Sequence, residues 1–182
     1  MKYTIIAGVN GTGKSSLTGV LKSERSDLGM CIDADKIGRE NACGTVRAGR
    51  IAVERIKTCL LNGVDFTQET TLSGKKTMIT VKAARAKGYT VHMYYVGLGS
   101  FEESVKRIAN RVAKGGHDIA RETVKRRYDN RFDNLVKILP YCNRVEFYDN
   151  ENGLVKVGEY INGELTSGEY VPEWLEEFKS KI

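Results

Sequence analysis

Short apolar runs rich in β-branched and aromatic residues recur along the chain at positions 3–7, 30–33, 64–68, 89–96 and 144–148. Between them lie longer segments of helical period, at 14–22, 45–61, 75–87, 101–114 and 120–139. Strands alternating with helices of this length predict βαβ units feeding a parallel sheet. After position 150 the pattern changes. Two runs, 154–160 and 164–170, flank Ile161-Asn162-Gly163, and Asn-Gly is a strong signal for a type I′ hairpin. Pro172 then opens a short amphipathic helix with Trp174, Leu175 and Phe178 on one face. The expectation is an α/β fold with a five-stranded, mostly parallel sheet and helices on both faces. One domain is expected over 1–182, with its core at 1–150 and the hairpin and last helix (151–182) packed on the sheet.

Length agrees with that reading, since 182 residues bury one full sheet-and-helix core. No apolar run approaches the span of a bilayer, so no membrane partner is expected. The first strand leads directly into a glycine-rich loop, leaving no room for a secretory leader. Cys31, Cys43, Cys59 and Cys142 lack CxxC or metal-ligand spacing and read as reduced thiols of a cytoplasmic protein. The net charge of +6 is unevenly spread, with nine Lys and Arg residues between positions 106 and 131. Such a cluster attracts phosphates, whether of a nucleotide, a metabolite or a nucleic acid. No aromatic stripe interleaves with it, which disfavours a single-strand nucleic-acid platform.

Chemistry enters at Gly8-Val9-Asn10-Gly11-Thr12-Gly13-Lys14-Ser15, which matches G-x-x-x-x-G-K-[ST] at every fixed position. The glycines let backbone N–H groups wrap phosphates, and Lys14 reaches the β- and γ-phosphates of ATP. Ser15 offers its hydroxyl to Mg²⁺, and the following helix points its positive end at the anion. Asn10, Thr12 and Ser16 complete the candidate nucleotide contacts. The chain has no Asn-Lys-x-Asp guanine reader, and residues 64–69 do not form the apolar run and acidic pair of a motor ATPase. A P-loop kinase fold is left ahead.

Two further segments place acids at expected strand ends, where open parallel sheets bind ligands. In Cys31-Ile32-Asp33-Ala34-Asp35, Asp35 lies further toward the mouth and is the candidate base for an acceptor hydroxyl. Either acid can instead cap the segment that follows. In Gln68-Glu69-Thr70-Thr71, Glu69 is a candidate for a magnesium-bound water or a substrate hydroxyl, and Thr71 for the acceptor. Arg39 is a further candidate for substrate binding. Phe101, Val105, Ile108 and Val112 form an apolar stripe, with Arg107 and Arg111 together on its flank as candidate catalytic cations. Arg131 falls on the stripe of the next helix, where it needs an anionic partner or the edge of the core. Gly115-Gly116-His117 lies between the helices as a candidate lid, and His117 as a titratable cation over the phosphates.

Taken together, the P-loop, Asp-x-Asp, Glu-Thr-Thr and Gly-Gly-His segments resemble the zeta-toxin-like kinases of bacteria, over residues 3 to 150. The resemblance implies ATP-dependent phosphorylation of an acceptor hydroxyl, UDP-N-acetylglucosamine in the best-known members, and inhibition by a proteinaceous antitoxin. It implies Lys14 and Ser15 as the phosphate-loop pair, Asp35 as the base, Glu69 and Thr71 at the acceptor, and Arg111 or Arg107 as a phosphate-binding arginine. Ser73 stands where the toxins carry a substrate-binding arginine, and His117 near their second lid arginine. A nucleoside or nucleic-acid end kinase and a non-catalytic ATP-binding module stay open as alternatives.

Overall fold

The computed structural model describes residues 1–116 and 118–182. Its first half alternates as expected: β1 (Lys2–Ala7), α1 (Lys14–Glu24), β2 (Met30–Ile32), α2 (Ala34–Glu40), α3 (Thr45–Asn62), β3 (Phe66–Thr70) and α4 (Lys76–Ala86). The second half holds β4 (Thr90–Gly97), α5 (Phe101–Ala113), α6 (Arg121–Asp129), α7 (Asp133–Ile138), a 3₁₀ turn (Leu139–Tyr141), β5 (Arg144–Asp149), β6 (Val155–Ile161), β7 (Glu164–Ser167) and α8 (Glu173–Lys179).

The sheet runs β2-β3-β1-β4-β5-β6-β7. Its first five strands are parallel, and β6 and β7 join antiparallel. The expected count of five is thus corrected to seven. The hairpin extends the sheet because β5 would otherwise present an open edge of backbone donors and acceptors. Its turn carries positive φ at Asn162 and Gly163, the geometry for which that dipeptide is suited.

β1 is central, and Tyr3 through Ala7 are fully buried because helices cover both faces. On one face Tyr3, Ile5 and Ala7 pack with residues of α3, α4, α7 and α8. On the other, Ile6 packs with Leu17 and Leu21 of α1. Val9 is covered by a third cluster from α5 and α6, with Phe101, Ile108, Val124 and Tyr128. The loop after β1 therefore leaves the middle of the sheet beneath two helices.

Three local differences from the expected elements have physical causes. Asp33 caps α2, accepting from the Asp35 N–H at 2.9 Å, and this nucleates a helix that apolar periodicity alone does not announce. β3 runs two residues further, to Thr70, because it pairs in register with β1 up to Ala7↔Thr70. The segment expected as one helix over 120–139 breaks at 130–132. There Asn130 Nδ2 donates to the Arg126 carbonyl and Arg131 Nη1 to that of Tyr128, satisfying the end of α6. Arg131 also pairs with Glu177 and lies over the rings of Tyr128 and Phe132, which accounts for a cation beside the core.

α8 seals the far end of the main core. Trp174 packs on Tyr95, and a Cβ at Gly97 would overlap its indole ring. Gly97→Ala is therefore expected to cost about 1–3 kcal/mol, the scale of overpacking. The double variant with Trp174→Leu should be less destabilised than the sum of the singles. Urea melts of the four proteins check this, and strict additivity would contradict the packing described.

Candidate active site

The phosphate loop is built by its own covalent sequence and then tied from three sides. Gly11 and Gly13 sit at φ +80° and +93°, a region closed to most side chains. Within the loop, the Val9 carbonyl accepts from Thr12 Oγ1 at 3.1 Å and from the Lys14 ammonium at 2.9 Å. From α5, Ser104 Oγ donates to the Asn10 carbonyl at 2.6 Å. From α6, Arg127 Nη1 donates to Asn10 Oδ1 at 2.8 Å. From beyond β5, Asn150 Nδ2 donates to the Thr12 carbonyl at 2.8 Å.

A cavity of about 480 Å³ opens beside this loop. Asn10, Lys14 and Arg127 line it, as do the carboxylates Asp33, Asp35 and Glu69. α3 contributes apolar lining through Ala52, Val53 and Ile56, and the segment after β3 adds Thr71, Ser73, Lys75 and Lys76. Thr71 and Ser73 share a hydroxyl–hydroxyl hydrogen bond of 2.8 Å. The cavity thus joins the phosphate loop to the ends of β2 and β3.

Lys14 and Glu69 face each other across this junction, and burial acts on both. Loss of water lowers the Lys14 pKa, against the pull of Glu69, Asp35 and Asp33, while Arg111 lowers it further. Burial raises the Glu69 pKa, opposed by Lys14 and by hydrogen bonds from Ser15 and Thr18. Ser15 Oγ donates to Glu69 Oε1 at 2.9 Å and Thr18 Oγ1 to Oε2 at 3.2 Å. A hydroxyl and a carboxylate so disposed are hard oxygen donors of the kind Mg²⁺ takes alongside phosphate and water. Among the described residues no group of three or more His, Cys, Asp and Glu is gathered as a closed metal cage. The donor set fits a magnesium that arrives with its nucleotide.

Of the other expected residues, Asp35 and Thr71 line the cavity, while Arg39 lies exposed on α2 away from its wall. Arg107 packs beside Gly11 but turns to Glu103 Oε1 at 2.7 Å and to the Glu151 carbonyl at 3.1 Å. Arg111 lies close enough to Lys14 to bear on its charge. His117 falls outside the described residues. Sequence reasoning passed over Arg127, which bridges the phosphate loop and the cavity. Burial lowers its pKa and Asp35 raises it. One signal pointed to it: Arg127 adjoins Tyr128 and lies three residues after Val124, on the flank of a buried stripe.

The zeta toxin family model matches residues 42–153. A protein of Haemophilus influenzae, itself uncharacterized, is 34% identical over 133 residues, covering 70% of this chain and 92% of the relative. The chain belongs to the zeta toxin family. Solved structures extend the likeness in fold to the phosphate loop. The AvrRxo1-ORF1:ORF2 complex with ATP aligns at TM-score 0.70 and 16% identity over all of this chain, which spans 63% of that one. The PezAT toxin–antitoxin system of Streptococcus pneumoniae aligns at 0.61 and 17%, over 99% of this chain and 83% of its own. The Pnkp1/Rnl/Hen1 RNA repair complex aligns at 0.62 and 17%, over 75% and 45%. Among the described residues no helix is long and apolar enough to cross a membrane.

The raised Glu69 pKa has a testable sign. Between the unfolded and folded values the native state holds a proton that the unfolded chain has released, so stability falls as pH rises through that window. Glu69→Gln cannot ionise and escapes this loss. Its stability relative to wild type, both nucleotide-free, should therefore increase from about pH 4 toward neutrality. Denaturant melts across that range check it; a difference that stays constant with pH would contradict burial as the cause.

Proposed function

We propose that the chain transfers the γ-phosphate of ATP, with Mg²⁺, to a hydroxyl of a small metabolite held in the cavity beside the phosphate loop. The observation that carries this reading is one continuous space lined by Lys14 and Arg127 together with Asp35 and Glu69. Its volume, about 480 Å³, suits a metabolite-sized ligand.

In this reading the loop glycines and Lys14 hold the triphosphate, with Asn10, Thr12 and Ser16 around it. Ser15 and Glu69 are the residues that would hold a magnesium ion and its water, and such an ion would offset phosphate charge. Asp35 accepts the acceptor's proton as its oxygen attacks the γ-phosphorus; the new O–P bond forms as the bond to the β–γ bridging oxygen breaks and ADP leaves. Arg127, joined by Arg111, balances the charge that spreads over the γ-phosphoryl oxygens. Arg107, which packs beside Gly11, adds positive charge near the loop, and His117 is a titratable cation for the phosphates. Thr71 orients the acceptor.

A nucleotide sugar such as UDP-N-acetylglucosamine is the finer assignment. Family membership supports it, as do Lys75 and Lys76 in the cavity's lining, which offer a diphosphate cations. Arg39 then serves an acceptor that reaches beyond the wall. The toxin–antitoxin setting of the PezAT neighbour supports an inhibitory protein partner. The reading takes residues 1–182 as one phosphotransferase unit in the cytoplasm, consistent with thiols that form no disulfide among the described residues.

The test is label transfer from γ-labelled ATP to fractionated metabolites. Wild type should give one acceptor-dependent phosphomonoester, and Lys14→Ala none. Asp35→Asn should keep ATP affinity and lose about 10²-fold in kcat. Arg127→Ala should lose about 10²–10³-fold in the same term. Release of inorganic phosphate alone, independent of any added metabolite, would instead mark an ATP-binding module or a hydrolase.

A further inference from the structure

The segment between β5 and β6 is tied to more of the molecule than a connection needs. Asn150 Nδ2 donates to the Thr12 carbonyl, and it occupies the space that a Cβ at Gly13 would fill. The Glu151 carbonyl accepts from Arg107 Nη2 at 3.1 Å, and its N–H donates to Asp149 Oδ2 at 3.0 Å. The other oxygen of Asp149 accepts from Trp174 Nε1 at 2.7 Å. Asp149 is only 3% exposed and Trp174 2%, so this last bond is made away from water. A buried carboxylate is retained only where its hydrogen bonds are supplied, and here α8 supplies one of them. None of these residues lines the acceptor cavity.

We infer that Asn150, Asp149 and Trp174 are positioning residues for the phosphate loop, and that α8 is through them a part of the nucleotide site. Thr12 and Gly13 carry backbone N–H groups that must converge on phosphate oxygens. Asn150 fixes the peptide between them by holding the Thr12 carbonyl turned away from the phosphates. Asp149 sets where Asn150 begins, and the indole N–H sets Asp149. Gly13 is required at its position both by its φ of +93° and by the amide packed against it.

This inference rests on the proposed ATP-binding reading, and its consequence is specific: disturbing the brace weakens phosphate binding and leaves the nucleoside untouched. The experiment is calorimetric titration of the full chain with MgATP, ADP and adenosine, alongside thermal melts without nucleotide. Asn150→Ala should bind ATP and ADP about five- to tenfold more weakly, the worth of one hydrogen bond, while adenosine affinity is unchanged. Trp174→Phe, which keeps an aromatic ring and loses the N–H, should shift ATP in the same direction by about two- to fivefold. Asn150→Gln, which retains the amide, should bind ATP more tightly than Asn150→Ala. Equal ATP affinity for wild type and Asn150→Ala would overturn the positioning role. Parallel losses for ATP and adenosine would overturn it too, by pointing to a general loosening. If wild type itself bound no ATP, the proposed function would fall first.

Discussion

A buried ammonium has to stay charged before its phosphate arrives, and the organisation around Lys14 answers that requirement. Burial drives the lysine toward losing its proton, and Glu69, Asp35 and Asp33 oppose this. The Val9 carbonyl takes one of its hydrogen bonds. The same three carboxylates line the cavity, so the groups that keep Lys14 charged are those the proposed acceptor would meet. In the proposed reaction a triphosphate would supply Lys14 with a further anionic partner.

The rest of the fold delivers these groups to one place. β1 lies between β3 and β4, so its loop emerges from the centre of the sheet and Glu69 stands opposite Ile6. The loop is then held from α5 by Ser104, from α6 by Arg127 and from beyond β5 by Asn150. Two of these ties meet Asn10, at its carbonyl and at its side chain, and the third meets the Thr12 carbonyl. A cradle whose donors are fixed in advance binds phosphate at little ordering cost.

What was legible in the sequence was what short-range chemistry decides. The phosphate loop carries its geometry in its own glycines, and Asn162-Gly163 announced its turn. Asp33 as a helix cap was open to the same reasoning. What escaped depends on partners distant in sequence. The extra length of β3 is set by pairing with β1, and the joining of β6 to the sheet by the open side of β5. Arg127 was hidden in a cluster of nine cations, five of which are exposed, and its place on the flank of a buried stripe did not reveal that α6 packs over Val9. The Trp174–Asp149 bond joins residues 25 positions apart across an intervening hairpin, a relation no local pattern contains.

In the proposed reading the phosphate loop and the cavity beside it are two halves of one transfer site. The position of the γ-phosphate in a complex with Mg²⁺ and a non-hydrolysable ATP analogue tests this most directly. The γ-phosphate is expected against the Lys14 ammonium, facing the cavity between Asp35 and Arg127. A triphosphate seated away from the Gly8–Ser15 loop, or one whose γ-phosphate turns from the cavity, would contradict it.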